Sequence, residues 1–335
     1  MHKVETASHY IKGVVAGDRR ILSKTITLIE SSLAEHQELA AKVLDALADR
    51  TGNSVRVGIT GVPGVGKSTF IESLGNFLLK RKLRVAILAV DPSSVKSGGS
   101  IMGDRTRMER LSADPRAFIR PSPSAGSLGG VARKTRETIL VCEAAGFDVV
   151  MVETIGVGQS EVTVAAMVDF FLVLLLPGAG DELQGIKRGI IELADAIAVN
   201  KADGENIRPA EQASKAYENA LHLMTPASTS WQPPVLTCSA LTGEGIESVW
   251  DTVMSHRRKL IDTGEFFEKR RTQASLWFRF LVDEGLKNWF YQQSGIKELI
   301  PHLTRQVESG SVSPMAAASR LLGILPKRRG KYEQS

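Results

Sequence analysis

The chain has 335 residues, 43% of them hydrophobic and 24% charged, with a formal net charge of +5. This size suits one large domain with additions or two domains, and the composition is that of an ordinary globular protein, which excludes fibrous and disordered classes. The longest apolar run, Phe170–Leu176, falls far short of the ~20 residues that span a bilayer, and the first twenty residues carry charges without a signal-peptide core, so the expectation is a cytoplasmic protein, or the mature form of one, with no membrane partner.

Residues 1–52 mix polar and apolar positions at helical spacing. Ile21, Leu22, Ile26, Leu28 and Ile29, then Leu33, Leu39, Leu44 and Leu47, predict two helices ahead of the core. Val55–Ile59 reads as a buried strand, and Ser68–Arg81 as a helix. Between them stands Gly61-Val62-Pro63-Gly64-Val65-Gly66-Lys67-Ser68, followed by Thr69. The run matches G-x-x-x-x-G-K-[ST] in the strand–loop–helix context that the motif requires. Gly61, Gly64 and Gly66 let the backbone approach a phosphate without Cβ clashes. The loop N–H groups and the helix N-terminus offer partial positive charge to it. Lys67 adds a full charge at the β- and γ-phosphates, and the Ser68 hydroxyl can ligate Mg²⁺.

Val85–Val90 is a strand ending at Asp91, which stands beside the phosphate site and can bind Mg²⁺ or order an attacking water. The glycine- and serine-rich segment Ser93–Gly103 leads to Asp104, in Gly-Asp-Arg-Thr-Arg. That composition suits a switch loop ordering around metal and γ-phosphate, or, for Asp104, a solvated loop residue. Val149–Val152 is a strand ending at Glu153, whose carboxylate can orient Mg²⁺ as a Walker B acid does; aspartate is the commoner residue there. Gly156 can turn its N–H to a γ-phosphate and sense hydrolysis. Gln159 lies three residues beyond Gly156 rather than adjacent, so no water-positioning role is assigned to it. Phe170–Leu176 is followed by the glycine-rich, acidic stretch Gly178–Lys187, readable as a third mobile segment or as an ordinary βα loop.

Ala196–Val199 is a strand, and Asn200-Lys201-Ala202-Asp203 after it has the N-K-x-D form. The Asp203 carboxylate can accept from guanine N1–H and N2–H₂; adenine lacks that donor pair and would leave the carboxylate unpaired, at a cost of ~1–3 kcal/mol. Asn200 can bridge to the phosphate loop or to base N7, and the Lys201 stem can lie over the purine. Val235–Cys238 is the next strand, and Ser239-Ala240-Leu241 at its end has the S-A-x form whose backbone N–H meets guanine O6. GTP and GDP are therefore favoured over adenine nucleotides. From Phe266 onward, Leu276–Trp277–Phe280–Leu281, Leu286–Trp289–Phe290, Ile296–Leu303 and Ala316–Leu325 recur at helical spacing, as in an arm that packs on a second subunit or folds back on its own core. The basic runs at 257–259, 269–271 and 327–329 lack aromatic interleaving and read as solvated helix ends or a charged tail, not as a nucleic-acid surface. Cys142 and Cys238 form no disulfide framework or zinc set and read as small buried residues. His222, His256 and His302 are isolated and read as surface or structural residues.

Short apolar strands alternating with helices, with polar residues at their carboxyl ends, predict an α/β P-loop NTPase with a mostly parallel central sheet. The predicted organisation is an N-terminal helical extension (1–52), a GTPase domain (53–262) and a C-terminal helical dimerisation arm (263–335). Together the phosphate loop, Asp91-Pro-Ser-Ser, the run at 103–108, Glu153-Thr-Ile-Gly-Val-Gly-Gln-Ser-Glu, Pro177–Lys187 and Asn200–Asp203 resemble the MeaB/ArgK-type GTPases, relatives of the methylmalonic aciduria type A protein. The resemblance implies a homodimeric GTPase that acts as a chaperone for adenosylcobalamin-dependent methylmalonyl-CoA mutase, gating cofactor loading and protecting or reactivating the mutase. It also implies Mg²⁺ ligands at Ser68, Asp91, Asp104 and Glu153, catalysis through Lys67, Asp91 and Glu153, and a switch on Gly178–Lys187. An older label in that family, an ATP-dependent protein kinase serving arginine/ornithine periplasmic transport, is the alternative reading; no adenine-reading motif or protein-substrate site accompanies it. Delivery of nickel or cobalt to another metalloenzyme is a third, against which stands the lack of a His-rich tract or Cys-x-Cys motif.

Overall fold

A computed structural model describes residues 5–90, 108–121, 128–154, 160–178, 188–222 and 228–324. The chain divides into two compact units, residues 1–270 and 271–335.

The first unit opens with α1 (Ala7–Val15), α2 (Arg19–Glu30) and α3 (Ala34–Leu47). Sequence spacing predicted two helices here; the structure has three. Asp18 caps α2 by accepting from the N–H groups of Arg20 and Ile21, and Ser31 in extended conformation ends it. The sheet and its covering helices follow in alternation: β1 (Val55–Gly61), α4 (Lys67–Lys80), β2 (Val85–Val90), α5 (Glu109–Ala113), β3 (Ala117–Arg120), α6 (Leu128–Ala144), β4 (Val149–Thr154), α7 (Ser160–Ala165), β5 (Phe170–Leu175), α8 (Arg188–Ile191), β6 (Ala196–Val199), α9 (Ile207–His222), β7 (Val235–Thr237) and α10 (Ile246–Thr263). The seven strands among the described residues are all parallel, in the order β3-β2-β4-β1-β5-β6-β7. Strand β3 was not predicted. It is four residues long and pairs with β2 alone at the sheet edge, too short to show a period.

The continuous apolar runs of β1, β2, β4, β5 and β6 reflect burial on both faces. One face buries Ala86, Leu88, Val150, Val152, Phe171 and Val173 with side chains of α1–α3, α6 and α9. The other buries Val57, Ile59, Met151 and Leu172 under α4 and α10.

The amino edge of the sheet is closed by a repeated device. Asp148, Asp169 and Asp195 each stand one residue before a strand and accept a backbone N–H from a neighbouring strand's start: Arg84 at 2.7 Å, Arg56 at 3.0 Å and Phe171 at 2.8 Å. A parallel edge otherwise leaves such groups unpaired. At the same edge Arg56 forms a buried bidentate pair with Glu143, both bonds 2.8 Å.

The long helix α11 (Glu265–Gln292) begins here. Arg270 bonds both Asp169 oxygens at 2.8 and 2.7 Å, and also the carbonyls of Ser54 and Gly52. Lys269 reaches the Asp169 carbonyl at 2.8 Å and Asp195 at 3.2 Å. These two cations are thus structural, which corrects their reading as a solvated basic cluster. His256 is buried between Phe170 and Trp231, with ring centroids 5.1 and 5.0 Å away, and its Nε2 stands 3.4 Å from Asp195. Both cysteines are buried and unpaired, and burial pushes the Cys238 thiol up to about 12.

The second unit holds the rest of α11, then α12 (Ser294–Glu308) and α13 (Pro314–Leu322). Ile296, Leu303 and Ala317 are buried, while Leu276, Phe278, Leu286, Trp289 and Met315 are exposed. Among the described residues, no helix is long and apolar enough to cross a membrane.

Candidate functional site

The carboxyl ends of β1, β4, β5 and β6 face the place where a doubly wound sheet receives its ligand. There β1 ends at Gly61 and the loop turns into α4. Gly61 (φ 154°) has no room for a side chain: a Cβ would stand 2.5 Å from the Leu174 carbonyl oxygen. Gly66 (φ 94°) is left-handed at the start of α4, and a Cβ there would come within 2.9 Å of Asn200 Nδ2. Val65 is fully buried and anchors the loop, while Pro63, Gly64 and Thr69 are exposed and Val62 is half-buried. Lys67 folds back over the loop and donates to the carbonyls of Gly61 (2.8 Å) and Val62 (3.3 Å). Burial pushes its pKa below the ordinary lysine value, and the carboxylates of Glu153 and Glu161 pull against that.

Ser68 Oγ donates to Glu153 Oε1 at 3.1 Å. Two oxygens that far apart match adjacent ligands of an octahedral Mg²⁺, whose ligands lie at ~2.1 Å. The donor set is hard oxygen, as that cation requires, so these residues fit the metal. Among the described residues no three acidic, histidine or cysteine side chains gather into a metal cluster, so the remaining ligands would have to come from elsewhere. Asp91, Asp104 and Gly156 lie outside the described residues, as do Gln159 and the stretch 179–187.

The far side of the rim is built around Asn200, which is almost fully buried. Its Nδ2 donates to the Val65 carbonyl at 2.8 Å, and its Oδ1 accepts from the Ala240 N–H at 3.0 Å. One side chain thus joins the phosphate loop to the Ser239–Leu241 loop. Asp203 accepts from the Ser239 hydroxyl, which also accepts the Thr242 N–H at 3.1 Å. Lys201 is exposed and takes a left-handed backbone (φ 62°). Ala240 is buried, whereas Leu241 is 80% exposed. From Thr69 and Leu241 an open groove of about 690 Å³ runs along α4 past Ser73 and Phe77. The structure therefore brings Gly61–Thr69, Glu153, Asn200–Asp203 and Ser239–Leu241 into one rim.

Sequence reasoning assigned no role to three residues of this rim. Glu161, in the first turn of α7, is wholly buried and acts electrostatically on Lys67. In sequence it looks like any acid favoured at a helix start. Thr60 stands next to last in β1 and Thr154 ends β4, and Thr154 Oγ1 donates to Thr60 Oγ1 at 2.8 Å. Threonine in an apolar strand carries no distinguishing signal.

Residues 22–294 match the family model described as methylmalonyl Co-A mutase-associated GTPase MeaB. A Caulobacter vibrioides protein described as a GTPase is 54% identical, the alignment covering 92% of this chain and 94% of the relative. The mouse methylmalonic aciduria type A homolog, a mitochondrial protein, is 46% identical over 94% of this chain and 79% of its own. GTPase ArgK of Escherichia coli is 43% identical over 94% and 96%. Among solved structures, that of an LAO/AO transport system kinase superposes with a TM-score of 0.74 at 37% identity, covering 96% of this chain and 98% of that one.

Proposed function

This chain belongs to the MeaB family of methylmalonyl-CoA mutase-associated GTPases, and on that premise we propose that it hydrolyses GTP to GDP and phosphate and uses the cycle to gate cofactor loading of an adenosylcobalamin-dependent methylmalonyl-CoA mutase, protecting or reactivating the mutase. The observation that carries the nucleotide reading is the Asn200 bridge. It fixes the Gly61–Thr69 loop and the Ser239–Leu241 loop in one frame, which supports a single ligand that reaches the first with its phosphates and the second with a purine.

In this reading the Gly61–Ser68 N–H groups hold the phosphates, and Lys67 leaves its loop carbonyls for the β- and γ-oxygens. Asp203 accepts the guanine donors in place of the Ser239 hydroxyl. Ser68 and Glu153 hold Mg²⁺, with Asp91 and Asp104 as further ligands. The metal supplies charge neutralisation for the transferring phosphoryl group. Gly156 and the stretch at 178–187 read the nucleotide state. Residues 1–52 serve as a helical extension of the 53–262 GTPase domain. The arm, 263–335, pairs two copies of the cytoplasmic protein, supported by the exposed Leu276, Phe278, Leu286 and Trp289.

The partner claim is tested by capture of purified mutase on the immobilised protein, with and without a non-hydrolysable GTP analogue. Failure to retain the mutase in any nucleotide state removes the chaperone role and leaves the GTPase. The competing reading, an ATP-dependent kinase, takes its support from the description of one solved relative. Calorimetric titration with GTP and ATP separates the two: tighter ATP binding would overturn the assignment of Asp203.

A further inference from the structure

β4 ends on two polar residues that point to opposite faces of the sheet, and each reaches the phosphate loop's own boundary. On the α4 face Glu153 takes the hydroxyl of Ser68, the last residue of the loop, in the first turn of α4. On the other face Thr154 bonds Thr60, just before it, at 2.8 Å. The register makes this possible. β1 and β4 pair with Ile59 opposite Glu153, so the next pair, Thr60 and Thr154, project side by side on the same face. Both are sealed from solvent, with Thr60 2% and Thr154 0% exposed. A hydroxyl pair in such surroundings is costly to leave half made, and two valines of nearly the same shape would suit an apolar strand as well.

We propose that Thr154 is a positioning residue for the nucleotide site: its bond to Thr60 locks the end of β4 to the start of the phosphate loop, and so holds Glu153 in reach of Ser68. The bond acts through Glu153 rather than on the ligand. Without it the two strand ends keep their backbone pairing but lose this side-chain tie, and the Ser68–Glu153 pair loses its fixed spacing. This rests on the GTPase reading above.

The test uses the full-length protein, with a fluorescent mant-GDP titrated at increasing Mg²⁺ and hydrolysis measured at saturating GTP. Thr154→Val should raise the Mg²⁺ concentration for half-maximal binding about fivefold and lower kcat about tenfold, with KM within about twofold. Thr154→Ser, which keeps the hydroxyl, should restore both to within about twofold. Thr60→Val should match Thr154→Val, and the double variant should be no worse than either, since both act through one bond. Additive losses, or valine variants with unchanged Mg²⁺ dependence and kcat, overturn the proposal. If Thr154→Val does not fold by circular dichroism, Thr60→Val takes its place, and loss of fold in both assigns the pair a purely structural role and also overturns it. Wild-type protein that fails to bind mant-GDP would instead sink the GTPase reading itself.

Discussion

Lys67 sits with its ammonium against two loop carbonyls and under the influence of two buried carboxylates, Glu153 and Glu161. In the proposed nucleotide complex, phosphate oxygens must displace the first contacts and tolerate the second. Glu161→Gln removes negative charge beside the phosphates while keeping the shape, so GDP should bind roughly three- to tenfold more tightly; weaker binding would mean that Glu161 aims Lys67 instead. Lys67→Ala should abolish GTP turnover, read by phosphate release. Asn200→Ala strands the Val65 carbonyl and the Ala240 N–H together in a buried place, an expected loss of about 1–3 kcal/mol in urea unfolding along with weakened nucleotide binding. These roles differ in how far the sequence announced them. The placement of Lys67, Ser68, Asn200 and Asp203 along one rim was legible because each belongs to a motif whose spacing the chemistry dictates. Glu161 and Thr154 were not, because burial and pairing in space leave no mark on local spacing.

At the scale of elements, the same contrast holds for the fold. β1, β2, β4, β5 and β6 could be read from continuous apolar runs, since strands covered on both faces need nothing else. The edge strand β3, four residues long, and helix α1, nine residues long, are too short to show a period. The closure of the amino edge was written in the sequence as Asp148, Asp169 and Asp195, each directly ahead of an apolar strand, but its meaning needs the neighbouring strand to be known. The root of α11 depends on that edge. Arg270→Ala would leave Asp169 buried without its cation, at an expected cost of about 3–5 kcal/mol in denaturant unfolding. The edge also sets an acid limit. Burial raises the Asp195 carboxyl, but Lys269, His256 and the Phe171 N–H outweigh it and hold the pKa below the ordinary aspartate value. A lowered folded-state pKa stabilises above the unfolded value, ~3.9, and that stability is lost as pH falls through the folded value. Asp195→Asn should therefore remove part of the slope of stability against pH in the range below about pH 5, measured by thermal melts across that range.

For the whole molecule, the division at residue 270 separates a unit with a complete sheet core from a helical one whose apolar residues are largely in solvent. On the proposed pairing of two copies through residues 263–335, Leu286→Asp together with Trp289→Asp should lower the mass seen by light scattering from that of a dimer to that of a monomer while GTP hydrolysis per site stays within about twofold. A monomeric wild-type protein would remove the pairing role of the arm. The Asn200 bridge has a further consequence at this scale. A side chain that ties two subsites into one frame makes the ordering of either one partly complete once the other is filled. Guanosine and pyrophosphate, offered as separate molecules, should then assist each other's binding, and linkage requires that each do so by the same factor.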